Sequence, residues 1–253
     1  MHAWINGVSL TDAIPNMILR NVYEDDPEND LMTGERPGMA GQRILSIKRT
    51  QLAVRIETVC REIYDLRARA EAVQAMAAWA QDGRLELSNR PDQFLQCIVT
   101  KRPAPGTDRD YTQTFTVELA AIDCPYWQAM VPDSVSGSGT TGTLHLTPGG
   151  TVKRIPLSFT VTPSSGTLTS FSVTVGGRTI ALSGLSVSSS SSLVLDYDDH
   201  MLQRIRVGST SVMSKRTAAS ADNLLVDPMT DNTIAFTADV ASAVEFTARG
   251  WYL

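Results

Sequence analysis

The sequence has little of what catalytic and cofactor-binding proteins usually carry. It contains only three histidines, His2, His145 and His200, and none lies in a zinc-binding spacing or beside a nucleophile motif. The phosphate-binding patterns GxxxxGKS, GxxxxGKT and GxGxxG at the start of a helix are also missing. We therefore predict no catalytic residue, no metal site and no cofactor, and we do not expect an enzyme.

Cysteine is scarce, and long apolar runs are absent. Cys60, Cys97 and Cys124 are an odd number of cysteines at wide spacings without a CxxC pair, so we predict buried free thiols. No apolar run reaches the roughly 18 residues that a membrane span needs, and the N-terminus lacks the basic and apolar segments of a secretory signal. These absences predict no membrane segment and folding in a cytoplasm.

Positive charge is also in short supply. Lys and Arg number 22 against 27 Asp and Glu, which gives a formal net charge of −5. The field of such a protein repels a polyanion, so we do not expect the chain to hold nucleic acid tightly through phosphate contacts.

The sequence changes in character near residue 130. The part before it is charged and mixes strand and helix patterns, whereas the part after it is rich in Ser, Thr and Gly with short alternating strands. We predict a mainly β protein with two domains, an α+β domain over 1–130 and a β-sandwich over 131–253. A linker is predicted at 131–142, and a loop or turn at 103–107 because prolines cluster there.

Local signals define several elements of the first half. Asn6-Gly7 between apolar residues predicts a hairpin turn, and apolar residues at helical spacing predict one principal helix over 66–81. The stretch 23–41 is acidic and then rich in Pro and Gly, which predicts a long exposed loop or arm. Such an arm either reaches another subunit or is a disordered loop without a role.

The second half predicts an antiparallel sandwich, because short alternating strands are separated by Gly-containing turns. Two strands, at 233–238 and 244–252, are predicted to close it. The acidic cluster Asp196, Asp198 and Asp199 beside His200 lacks the glycine and terminal glutamate of an EF-hand, so we interpret it as a turn. Trp251 and Tyr252 are predicted to lie in the core.

The order of these parts resembles the distal tail protein family of long-tailed (siphovirus) phages. The resemblance rests on the strand-turn-strand that ends at Gly7-Val8-Ser9-Leu10, the segment RPGMAG over 36–41, and one helix that ends near Trp79. It continues in the second half through LVLDY at 193–197 to the closing RGWYL at 249–253, which is similar to the galectin-like sandwich of that family.

The resemblance implies a structural virion component at the phage tail tip, made in the cytoplasm of the host bacterium. In this family the N-terminal (belt) domain forms a hexameric ring, with the galectin-like domains outside. The ring joins the tail tube protein to the tail-associated lysin or tail-fibre hub of the baseplate, and DNA passes through its lumen without specific binding. We expect the subunit interface to include Tyr23, Glu24, Asp25, Asp26, Arg36, Pro37, Met39 and Arg43.

Two other classes of function remain open. The first is a carbohydrate-binding adhesin module for host attachment, in which the sandwich carries the function. The second is a β-sandwich hydrolase whose site residues are scattered and not recognisable in the sequence; loss of hydrolysis in alanine variants of Asp196 or Asp198 would favour it. Neither accounts for the predicted arm as directly as a ring does, so we expect the sandwich to be a structural or docking domain.

Overall fold

A computed structural model describes residues 1–25, 28–35, 42–109, 111–198 and 200–253. The chain divides into two compact units, Met1–Trp127 and Gln128–Leu253. The fold is mainly β, as the sequence predicted. Within the described residues, no helix has the length and apolar character needed to cross a membrane.

The first unit is one antiparallel sheet with a helix packed against it. Its elements are β1 (Ala3–Ile5), β2 (Val8–Ser9), α1 (Leu10–Ala13), β3 (Met17–Asp25), β4 (Asn29–Glu35), β5 (Gln42–Arg49), β6 (Leu52–Cys60), α2 (Leu66–Trp79), β7 (Gly83–Leu87), β8 (Gln93–Arg109) and β9 (Thr112–Ala121). The strand β10 (Trp127–Ala129) follows at the boundary between the units. The order in the main sheet is β2-β1-β7-β8-β9-β6-β3, with β3 at one edge.

The first hairpin forms where the sequence predicted it. Asn6 and Gly7 have φ values of 51° and 78°, the left-handed conformation that a two-residue turn between twisted strands needs. The Asn6 side chain fastens the turn, because its Oδ1 accepts from the Arg84 backbone N–H at 3.0 Å and its Nδ2 donates to the Asp82 carbonyl at 3.1 Å.

The principal helix α2 begins where it was predicted and ends two residues earlier. Asp65 caps its start, since its Oδ1 accepts from the Ala68 N–H at 2.7 Å. Met76 and Trp79 are buried, and Trp79 Nε1 donates to the Val8 carbonyl at 3.0 Å. After the helix, the Asp82 carboxylate accepts from the Val99 N–H and ties the chain to β8.

The prediction of a loop at 103–107 is wrong, because this segment lies inside β8. The strand pairs with β9 through three register shifts, and Pro105 lies opposite Phe115. β7 pairs only with the Leu95–Cys97 end of β8. Proline is compatible with an irregular strand of this kind, where its missing N–H breaks no regular ladder.

The three cysteines are buried free thiols, as predicted. Burial raises the pKa of the Cys97 and Cys124 thiols to about 12. Both thiols therefore stay protonated at neutral pH, and a protonated thiol is a poor nucleophile and a poor metal ligand.

The second unit is a two-layer β-sandwich. Its elements are β11 (Asp133–Leu146), β12 (Ile155–Pro163), β13 (Thr167–Val175), β14 (Arg178–Ser188), β15 (Leu193–Tyr197), β16 (Gln203–Val207), β17 (Thr210–Ser211), a short 3-10 helix (Met213–Lys215), β18 (Leu225–Val226), β19 (Asn232–Ala248) and β20 (Trp251–Tyr252). The main strand order is β14-β13-β19-β12-β15-β16-β17, and β11 pairs with β19.

The strand β19 belongs to both layers of the sandwich. Its first part pairs with β13 and its second part with β12. Between these parts it bends, because four of its residues, 238–241, lie opposite the single residue Thr140 of β11. The bend brings the two layers face to face, so that the rings of Phe159 and Phe171 lie 5.2 Å apart and those of Phe236 and Phe246 lie 6.3 Å apart.

Three predictions for the second half need correction. The segment 131–142 is not a linker, since β11 begins at Asp133 and pairs with β19 along its whole length. The two predicted closing strands at 233–252 are mostly one strand, β19, and its alternation of inward and outward residues continues through the bend. Trp251 packs against the core but is half-buried, as is Tyr252.

Asp239 stabilises the bend of β19. Its replacement tests how the stability of the sandwich depends on pH. Its carboxylate accepts hydrogen bonds from the backbone N–H of Thr169 at 3.0 and 3.2 Å and from the Thr169 hydroxyl. Slight burial alone would raise the pKa of Asp239. The bonds from the Thr169 hydroxyl and from the N–H groups of Thr169, Ser170 and Asp239 itself outweigh it and lower that pKa.

Because the folded pKa is lowered, the stabilisation by Asp239 is complete above the unfolded pKa of about 3.9 and is lost as pH falls through the folded pKa. We expect Asp239→Asn to lower the free energy of unfolding at neutral pH by about 1 kcal/mol. Below about pH 4 the free energy of unfolding, measured by urea unfolding, should fall less in the variant than in the wild type. Asp222→Asn, at an exposed carboxylate of the same unit, is the control, and equal pH profiles for all three proteins would contradict the assignment.

Candidate functional site

The stretch 23–41 was predicted to be a long exposed loop or arm, and its described part contains the strand β4, which pairs with β5. β4 and β5 pair with each other, and they join no other strand of the described ranges. In the chain, β3 comes directly before β4 and β6 comes directly after β5. In the main sheet, β3 pairs with β6. The Thr50 N–H donates to the Glu28 carbonyl at 2.8 Å and joins the two ladders.

We call β4 and β5 together the arm. The arm continues the β3–β6 hairpin past the point where the main sheet ends. The seven residues of β4 span about 23 Å at roughly 3.3 Å per residue. Acidic residues are tolerated here because both faces of a two-stranded ribbon have access to water, so that Asp30 and Glu28 remain exposed.

The eight predicted interface residues have different places in the structure. Tyr23, Glu24 and Asp25 form the end of β3 at the base of the arm, and Arg43 lies on β5. The other four lie outside the described residues: Asp26, Arg36, Pro37 and Met39. The interface itself stays a prediction.

Glu24 is the centre of a charged network at the base of the arm. Its carboxylate accepts two hydrogen bonds from Arg90, from Nε at 3.2 Å and from Nη2 at 2.7 Å, and a third from Trp127 Nε1 at 3.0 Å. The Arg90 guanidinium also lies 4.9 Å from the centre of the Trp127 ring. Because Trp127 is fully buried, this network anchors the end of β3 to the interior of the first unit.

Tyr23 lies beside this network but faces solvent. Its side chain is 40% exposed, and the Arg55 guanidinium lies 4.5 Å from the centre of its ring. The Tyr23 hydroxyl accepts from Asn21 Nδ2 at 3.1 Å. These contacts hold the ring in one orientation on the surface, where a partner can pack against it without a large loss of side-chain entropy.

An open acidic cleft of about 900 Å³ lies at the same place. It is lined by residues of the arm base and of the adjoining strands: Glu24, Asp25, Glu28, Asp30, Arg49, Thr50, Gln51, Ala53 and Ile122. The cleft is suited to a cationic group of a partner, since four of its residues carry carboxylates. No three His, Cys, Asp or Glu side chains among the described residues converge on a point that could hold a metal ion.

Sequence analysis missed Arg90 and Trp127 as parts of this site. They are 66 and 103 residues from Glu24 in the chain. Neither lies in a recognisable motif, and a bidentate arginine-carboxylate pair between distant segments leaves no local pattern.

The acidic cluster of the second unit forms a turn and an ion-pair group. Asp198 Oδ1 accepts from the backbone N–H of His200 at 3.0 Å and of Leu202 at 2.9 Å, as expected for a turn. Asp196 pairs with Arg204 and with Arg206. Asp199 lies outside the described residues.

The two units, an arm-bearing antiparallel sheet followed in the chain by a β-sandwich, define a fold that is known in phage tails. The Dit protein of phage SPP1, a paradigm of the hub adsorption apparatus in phages that infect Gram-positive bacteria, matches with a TM-score of 0.73. The match covers 98% of each chain at 12% sequence identity. The baseplate of phage p2, in its activated conformation with strontium, matches over 92% of this chain and 90% of that chain, with a TM-score of 0.48 and 6% identity.

No protein-family model matches the chain, and no curated protein matches it. At 12% identity the likeness to SPP1 Dit concerns the fold, and at that level it confirms the resemblance to distal tail proteins that the sequence indicated.

The Glu24 network makes a prediction about stability. We expect Glu24→Ala to lower the free energy of unfolding of the first unit by about 2–3 kcal/mol, because it leaves the half-buried Arg90 without its carboxylate. Glu118→Ala is the matched control. It removes a carboxylate from an exposed pair with Lys101 and should cost at most about 1 kcal/mol.

Urea unfolding followed by tryptophan fluorescence measures both effects, since Trp127 belongs to the network. Equal losses in the two variants would show that the Glu24 network contributes no more than a surface ion pair.

Proposed function

We propose that this chain is a structural component of a phage tail tip, a distal tail protein whose first unit assembles into a hexameric ring. The ring joins the tail tube protein to the tail-associated lysin or tail-fibre hub. The observation that carries the proposal is the arm, which forms its own two-stranded sheet in a chain with the fold of SPP1 Dit.

The arm supports assembly because of the energetics of hairpins. A two-stranded sheet that packs against nothing else is at best marginally stable in water. The arm of this chain exposes Met32, at 63%, where an apolar side chain gains most from a partner surface. A neighbouring copy that covers the arm supplies the missing burial.

A ring also requires that the two surfaces that meet in each subunit contact differ from each other. In a closed cyclic assembly each subunit offers two different surfaces, one to each neighbour. The arm is the first surface. The base of the arm takes part in the same contact. It contributes the rigidly held Tyr23 ring and the acidic cleft beside it. The remaining interface residues proposed from the sequence also take part.

The charge of the chain suits a conduit for DNA. With a net charge of −5 per copy, the assembled ring repels a polyanion, which therefore passes through its lumen without specific binding.

We expect the purified ring not to retard duplex DNA in a mobility assay at physiological salt, and strong retardation would contradict passage without binding.

The role is structural and not catalytic, and its place is the virion, after synthesis in the cytoplasm of the host bacterium. The buried, protonated thiols and the Asp196 ion pairs support this view, because they leave these groups engaged in the fold. Immunogold labelling of purified phage particles locates the chain, and label that is absent from the tail tip would reject the proposal.

A pocket in the sandwich supports a second candidate, the carbohydrate-binding adhesin. It has a volume of about 290 Å³ and is lined by two aromatic residues, two polar residues and three apolar ones: Tyr197, Trp251, Arg154, Asn223, Pro156, Met201 and Leu225. Aromatic faces with Arg and Asn groups suit a sugar ring. A glycan array probed with the full chain tests this candidate, and binding that Arg154→Ala abolishes would support it.

The ring proposal predicts the effect of a charge on the arm. We expect Met32→Asp to abolish ring assembly, so that light scattering gives one sixth of the mass of the wild-type assembly of 27.5-kDa chains. The reason is that a carboxylate in a buried subunit contact must be desolvated without a partner. Met229→Asp is the matched control, because Met229 is 78% exposed in the second unit.

Negative-stain images should show six-fold rings for the wild type and for Met229→Asp. Rings that persist in Met32→Asp would remove the arm from the contact, and a monomeric wild type at all concentrations would reject self-assembly.

A further inference from the structure

The sandwich of the second unit has one long strand at its edge. β11 runs from Asp133 to Leu146 and pairs with β19 along one side. Its other side has no strand partner in the part of the chain that the structure describes. A row of backbone N–H and C=O groups is therefore available there for pairing with another strand.

The other edges of the sandwich are protected. β17, at one end of the strand order, is only two residues long. β14, at the other end, is covered by the segment after the 3-10 helix, because the N–H of Thr217 donates to the Ala181 carbonyl and the N–H of Ala221 donates to the Thr179 carbonyl. Short edges and covered edges are the usual protection against unwanted pairing.

β11 is neither short nor covered by another described segment of the chain, and its one irregularity, at Thr140, lies after the regular stretch 133–139. Between Ser134 and Leu144 it has no charged residue and no proline, which are the side chains that natural edge strands use against pairing. Its outward side chains at 134, 136 and 138 are exposed serines. Val135 and Leu144 pack against the core from this edge and are only half-buried, so an added strand would complete their burial.

The first half of β11 is complementary to itself. In an antiparallel pair centred on Ser136, Ser134 lies opposite Ser138 of a second copy, and Ser136 lies opposite its own equivalent. Cross-strand hydroxyl pairs are favourable and no like charges meet. On the core side Val135 lies opposite Gly137 of the second copy, which has no side chain. Within each copy Leu144 already fills the space beside Gly137, since a Cβ on Gly137 would lie 3.0 Å from Leu144 Cδ2.

We propose that β11 is a self-pairing edge through which two copies of this chain join their sandwiches into one continuous sheet. The contact is isologous and has a two-fold axis. It does not depend on the arm or on the proposed ring, which needs a heterologous contact of the first unit. The contact joins two single chains, or two rings if the first unit assembles into a ring.

The register provides a specific test with full-length variants. Ser136→Lys places two lysines opposite each other at the two-fold axis, and Ser136→Glu places two glutamates there, so each variant should block pairing by like-charge repulsion. A mixture of the two variants places Lys opposite Glu and should restore it. Ser170→Lys, at an exposed serine of β13 inside the same sandwich, is the control with the same added charge.

The measurement is the mass in solution, by light scattering over a concentration series. We expect the mass of the wild type and of Ser170→Lys to be twice that of either Ser136 variant alone, and the mixture to recover the doubled mass. Thermal unfolding checks that all variants fold. A folded Ser136→Lys with the mass of the wild type would overturn the proposal, and so would a mixture that fails to recover the doubled mass.

Loss of the ring and loss of the edge contact are distinguishable. Met32→Asp should leave a dimer of 27.5-kDa chains if β11 pairs as proposed, and the double variant with Ser136→Lys should be a monomer. A monomer for Met32→Asp alone would also overturn self-pairing at β11.

Discussion

The architecture of this chain depends on one constraint, that the backbone hydrogen-bonding groups of every strand must be paired, protected or covered. The main sheet of the first unit meets it by placing β6, β9 and β8 between neighbours on both sides. The sandwich meets it with β19, which supplies a central partner to both layers because it bends at 238–241. Among the described residues, the arm and the outer side of β11 are two places where strand backbone groups lack a strand partner within the chain, and at both a partner is proposed.

The base of the arm shows how a ribbon can project from a domain and still have a defined position. Glu24 accepts from Arg90 and from Trp127, and Trp127 is buried in the first unit. A charged network of this kind contributes less to stability than apolar packing of equal volume, but it specifies one geometry. For a ring the geometry matters most, because a small error in the angle of each contact prevents closure.

Titratable groups that a sequence search would select are engaged in the fold: Asp196 pairs with two arginines, and Asp198 caps a turn. The buried thiols of Cys97 and Cys124 remain protonated. Likeness of fold to SPP1 Dit at 12% sequence identity is physically understandable, since a β fold depends on the pattern of burial and on strand pairing, which many sequences satisfy.

Local features of the chain were determined by the sequence itself. The Asn6-Gly7 turn, the start of α2 after Asp65 and the burial of three thiols follow from signals in the sequence, namely the Asn-Gly pair, helical periodicity and cysteine spacing. Only the tertiary structure decided that the Ser- and Gly-rich segment at 133–146 is a strand, that β19 is continuous, and that the acidic stretch forms a hairpin. It also brought Glu24 to Arg90 and Trp127. The physical reason is that the strand at 133–146, the continuous β19 and the Glu24 network exist through partners distant in the chain, and such pairing leaves no periodic mark on either segment.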